Sequence, residues 1–170
     1  MAEVEERLGA LEAQVAALME RFGAATPPAE AAPAAGDVFW ALDGLKQRIP
    51  ADGGGAVLYT GTVRLDDQRH DWQYGRMVDD VLAGDWTELA GVLSALAHPV
   101  RLRLLREILG GRHGTGELAG IEGLGTTGQL HHHLRQLTTA GWLHSAGRGR
   151  YAVPAERVVP LLAILTAARR

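Results

Sequence analysis

The sequence predicts a mainly α fold with a β-hairpin wing. The winged helix-turn-helix is preceded by a small segment of helix plus β-hairpin and by an N-terminal coiled-coil helix. Three observations carry this expectation. Residues 85–153 show helical periodicity that ends in strand, Gly/Arg turn and strand. Residues 3–22 repeat apolar side chains in heptads. Basic residues concentrate in the second half of the chain.

Residues 1–22 are read as a dimerisation helix. Val4, Leu8, Leu11, Val15, Leu18 and Phe22 alternate spacings of four and three. Leu8, Val15 and Phe22 then take a positions, and Val4, Leu11 and Leu18 take d positions. Arg7 at g faces Glu12 at the following e. So short a coil is marginal alone and needs other contacts; packing on its own domain is the alternative. Residues 23–36, rich in Pro and Ala, are an extended linker with little to bury.

Residues 37–84 form an accessory unit. Asp37 caps a helix reaching to about Arg48, which Pro50 and Gly53-Gly54-Gly55 end. Ala56–Leu65 is rich in strand formers, Asp66-Asp67-Gln68-Arg69 reads as a turn, and His70–Gly75 as the returning strand. A short helix at about Met77–Leu82 follows. A lone hairpin is marginal in water, so this one must dock on the preceding helix, on the next domain, or on a second copy. Tyr59, Trp72 and Tyr74, near Trp40, could wall an apolar pocket for a small-molecule effector. A scaffolding role or a protein-partner platform are the other readings of this unit.

Residues 85–153 are expected to form four helices and a wing. Asp85 caps Trp86–Ala97. Pro99 starts a helix to about Leu109, stopped by Gly110-Gly111, and Thr115–Ala119 is a third short helix. Thr126 or Thr127 caps the fourth. At 100° per residue from Leu130, Leu134 and Leu137 fall at about 40° and 340°, so one apolar stripe is buried. Gln129, His132, Arg135 and Gln136 fall between about 140° and 260°, away from it. Gln pairs with adenine and Arg with guanine in the major groove. Thr126 and Thr127, at the helix start, can meet a phosphate. Arg148 and Arg150 in Gly147-Arg148-Gly149-Arg150 can reach phosphates or the minor groove. Double-stranded DNA is the expected partner.

His131-His132-His133 does not make a metal site, because successive helical residues point apart and cannot share one ion. No metal and no cofactor is expected. The last segment, 154–170, is apolar on most sides. Leu161, Leu162 and Leu165 are therefore assigned to a dimer face, with packing inside the subunit as the alternative.

Charge is divided. Residues 1–97 hold 7 basic and 16 acidic side chains, and residues 98–170 hold 10 and 4. A basic half joined to an acidic one fits a nucleic-acid-binding domain fused to something else. Cysteine is absent, which excludes disulfides and thiolate chemistry. The acidic start does not read as a signal peptide, and no apolar run suits a membrane span, so a cytoplasmic protein is expected. No phosphate loop or nucleophile motif stands out, and an enzyme is not expected. Asp66-Asp67 and Asp79-Asp80 read as solvated turn and helix residues.

Two blocks carry a family resemblance. Leu96-Ala97-His98-Pro99-Val100-Arg101-Leu102-Arg103-Leu104-Leu105 and His132-His133-Leu134-Arg135-Gln136-Leu137 with Ala140-Gly141-Trp142-Leu143 resemble the signatures of ArsR-type regulators. The resemblance covers about residues 85–170. It implies a homodimeric winged helix on a near-palindromic operator, usually a repressor. The family's metal-sensing positions are not matched: Thr115–Ala119 has no Cys, and 154–170 has neither His nor Asp. A winged-helix interaction module, tethering a protein through the acidic half, is the alternative.

Overall fold

The computed structural model describes residues 39–65 and 67–169. The expected coil (Leu8, Leu11, Val15, Leu18), the linker and the Asp37 cap lie outside these residues. The chain divides into two units, Met1–Gly44 and Leu45–Arg170. In the first, the described residues open helix α1 (Trp40–Lys46), with Trp40 exposed.

The second unit is a mixture of helices and two antiparallel two-stranded sheets, compatible with a winged helix. Strands β1 (Ala56–Leu65) and β2 (Gln68–Met77) pair in full register from Ala56↔Met77 to Leu65↔Gln68. The turn is therefore tighter than expected: Gln68 and Arg69 already belong to the ladder. Asp67 supplies the left-handed residue, with φ of 61°, a conformation that Asp tolerates better than most residues. At the open end, the Val78 N–H donates to the Gly55 carbonyl at 2.9 Å. Helix α2 (Val78–Ala83) follows at once.

Asp85 caps as expected, its carboxylate accepting from the Thr87 N–H at 2.8 Å and the Thr87 hydroxyl at 2.7 Å. These hydrogen bonds hold its pKa below the usual carboxylate range. The segment it opens is not one helix. A 3-10 turn (Trp86–Leu89) precedes α3 (Ala90–Leu96). Helix α4 (Pro99–Leu109) has Pro99 in its first turn, and His98 Nδ1 accepts from the Val100 N–H at 3.2 Å. Helices α5 (Thr115–Ala119) and α6 (Thr127–Thr139), strands β3 (His144–Ser145) and β4 (Tyr151–Ala152), and α7 (Ala155–Ala167) complete the unit.

The core joins Leu104, Leu105 and Ile108 of α4 to Leu118, Leu124, the Leu130/Leu134/Leu137 stripe, Trp142 and Leu161. Leu161 has 0% of its surface exposed. This corrects its assignment to a dimer face, since it offers nothing to a partner. Leu162 and Leu165 remain half-buried beside Leu65 and Leu102. The apolar character of α7 on most sides has a local cause: the helix lies between two layers. Leu161 enters the helical core, while Val159 meets the hairpin. A Cβ built on Gly61 of β1 would come within 2.8 Å of Val159 Cγ1, so glycine permits that approach. Tyr59, Gly61, Val63 and Leu65 alternate with exposed Thr60, Thr62 and Arg64, as a half-buried strand requires. Within the second unit the hairpin packs on α7, in the domain that follows it in sequence.

Candidate nucleic-acid interface

Helix α6 begins with a reciprocal cap. The Gln129 N–H donates to Thr126 Oγ1 at 3.4 Å, and the Thr126 N–H donates to Gln129 Oε1 at 2.8 Å. Thr126 is thus the N-cap and Thr127 the first helical residue. Gly125, with φ of 84°, turns the chain into this cap. The arrangement corrects the expectation for Gln129. Its side-chain carbonyl is committed to the cap, so bidentate adenine recognition would require releasing Thr126. The Thr126 hydroxyl oxygen accepts within the cap, and its proton remains for an incoming oxygen.

Below the cap the two stripes separate as the angles predict. Leu130, Leu134 and Leu137 are buried at 1%, 0% and 0% exposure. His131, His132, Arg135 and Gln136 are exposed. Helix α6 carries no carboxylate. Arg135, Arg148 and Arg150 enter no ion pair among the described residues. An exposed face with free guanidinium and amide donors suits phosphate oxygens and guanine edges.

His133 lies between the stripes. Its ring centroid is 4.6 Å from that of His98 and 5.6 Å from that of His132. Its Nδ1 is buried without a hydrogen-bond partner among the described residues. Desolvation pushes its pKa down, and the neighbouring His98, Arg101 and His132 push it further in the same direction. Among the described residues no group of three or more His, Cys, Asp or Glu side chains could hold a metal ion.

The β3–β4 hairpin turns at Gly147 and Gly149, both with positive φ, leaving Arg148 exposed between them. Sequence reasoning missed what anchors this turn. Gly114 bridges Arg150, the Thr115 N–H donates to the Gly149 carbonyl at 2.9 Å, and the Tyr151 N–H donates to the His113 carbonyl at 3.0 Å. A one-residue bridge made by backbone groups leaves no hydropathy signal. It ties the hairpin to the start of α5, on the chain leading into α6.

Sequence reasoning also missed Arg101. Its Nε donates to the Ala95 carbonyl at 2.6 Å and its Nη2 to that of Ser94 at 2.8 Å, satisfying the end of α3.

Of the side chains expected to wall an aromatic pocket, Trp72 and Tyr74 are 37% and 47% exposed, and Trp40 lies in the first unit. Tyr59 packs across the strands against Tyr74, with centroids 5.8 Å apart. It lines a cavity made instead with α3, Trp142 and α7.

No protein-family model, curated protein or solved structure matches this chain. No helix among the described residues is long and apolar enough to cross a membrane.

Proposed function

We propose that this protein is a sequence-specific DNA-binding regulator, a repressor acting as a homodimer on a near-palindromic operator. In this reading α5, the turn at 120–126 and α6 form a helix-turn-helix, and β3–β4 is its wing. The observation that carries it is the division of α6: three leucines lock one side into the core, while the other presents His132, Arg135 and Gln136 with no acid among them. The turn with Arg148 and Arg150 adds cations that enter no ion pair among the described residues. Two recognition helices in a dimer would enter successive major grooves about 34 Å apart. The resemblance of residues 96–105 and 132–143 to ArsR-type regulators supports the same reading.

Selection of bound duplexes from a random pool tests it. A near-palindromic consensus whose affinity falls steeply with salt is the expected result, because arginines displace condensed counterions. Binding that is absent, or indifferent to both sequence and salt, would overturn the proposal.

A further inference from the structure

Helix α7 places Arg157 half-buried beside Trp142, its guanidinium carbon 5.1 Å from the ring centroid. No carboxylate pairs with it among the described residues. Stacking on an indole offsets part of what desolvation costs a cation, but supplies no counter-charge. Arg157 also lines a cavity of about 280 Å3 formed with residues of the hairpin, α3 and α7. Tyr59 lines it from the hairpin. The remaining lining, from Leu89, Leu93, Pro160 and Ile164 among others, is apolar. Leu89, Leu93 and Ile164 keep 52%, 49% and 37% of their surface open, so no described residue covers this part of the lining.

A single cation with no ion pair among the described residues, in the wall of an otherwise apolar cavity, is complementary to one class of small molecule. That class has one negative head and a hydrocarbon body. A neutral hydrocarbon would leave Arg157 without a counter-charge, and a dianion would carry a second charge into apolar surroundings. We propose that this cavity binds an amphipathic monocarboxylate, its head on Arg157 and its chain along Leu93, Pro160 and Ile164.

Occupancy would bear on the end of α6. The Trp142 N–H donates to the Leu137 carbonyl at 2.9 Å, in the last turn of that helix. That an occupant thereby changes DNA affinity rests on the DNA-binding reading; binding of the carboxylate does not.

The test is calorimetric titration of the full chain with octanoate and, separately, with octanol, which has the same chain length and no charge. Octanoate should bind at one site per chain, about tenfold or more tighter than octanol, a difference of about 1.4 kcal/mol or more. Arg157→Gln should bring octanoate down to the octanol level and leave octanol unchanged. Arg157→Lys should keep part of the preference. Ala163→Phe, filling the cavity, should remove both ligands while circular dichroism reports a folded chain. Equal binding of the two probes, or octanoate binding unaffected by Arg157→Gln, overturns the proposal. So does a wild-type chain that binds neither probe. DNA is absent throughout, so failure here is distinct from failure of the regulator reading.

Discussion

Trp142 Nε1 donates to the backbone carbonyl of Val92 at 2.9 Å, joining residues fifty positions apart. The indole ties the loop after α6 to α3, and its ring is fully buried in the core. A residue that looks like the end of a recognition block is also the pin between the first and fourth helices of the domain. Trp142→Phe should lower unfolding free energy by about 1–3 kcal/mol, through the lost bond and the smaller ring. Urea denaturation followed by circular dichroism measures this, and an unchanged midpoint would show that the bond contributes nothing.

The proposed DNA binding assigns different roles to two arginines. Arg135→Ala should cost roughly 1–3 kcal/mol of operator affinity and relax preference at one base position. Arg148→Ala should weaken all sequences alike and reduce the slope of log affinity against log salt by about 1. Gel shifts over a salt series distinguish them. Identical profiles for the two variants would refute the separate roles.

The cap of α6 can be probed without touching its exposed face. Thr126→Ala removes the acceptor for the Gln129 N–H and should lower stability by about 1 kcal/mol. The backbone N–H of residue 126 survives the change and still holds Gln129 Oε1 in the cap. Urea denaturation measures the loss, and an unchanged midpoint would show that the hydroxyl contributes nothing to the cap.

His133 makes stability depend on pH. Its folded-state pKa is pushed below the usual histidine value of about 6.5. The unfolded chain therefore binds the proton more readily, and stability falls as pH drops below about 6.5. Melting curves between about pH 7.5 and 5.5 should show this loss, and His133→Leu should flatten it. His98, Arg101 and His132 are the groups that push His133 down by charge. A slope equally steep in the His133→Leu chain would place the titration elsewhere.

Hairpin docking depends on a missing side chain. Gly61→Ala would set a methyl against Val159 and should cost about 1–3 kcal/mol. Val159→Ala in the same chain should recover part of it, which a double-mutant cycle resolves. Simple additivity of the two changes would mean that they do not meet.

The strongest sequence signals were periodic ones. Ala56–Leu65, Pro99–Leu109 and Thr115–Ala119 occur with the bounds expected of them, because alternation, a proline in the first helical turn and glycine stops are local physics. The stripe Leu130/Leu134/Leu137 followed from helical geometry alone. The readings that changed were those needing a partner in space. Gln129 pointed outward by angle but is drawn into the cap by Thr126, three residues away. The turn after Leu65 looked four residues long, yet pairing carries the ladder through Gln68.

By itself, the sequence determined the bounds of β1, α4 and α5, which face of α6 is apolar, and that the histidine run cannot converge on one ion. Each depends only on backbone period and side-chain chemistry. Only the tertiary structure decided where α7 belongs. A helix apolar on most sides serves a subunit interface or an internal layer equally well, and hydropathy cannot tell one burial from another. The approach of Val159 to Gly61, the burial of Leu161 and the stacking of Arg157 on Trp142 place α7 between hairpin and helical core. The same packing made a cavity from residues that lie far apart along the chain, which is why no local motif announced it.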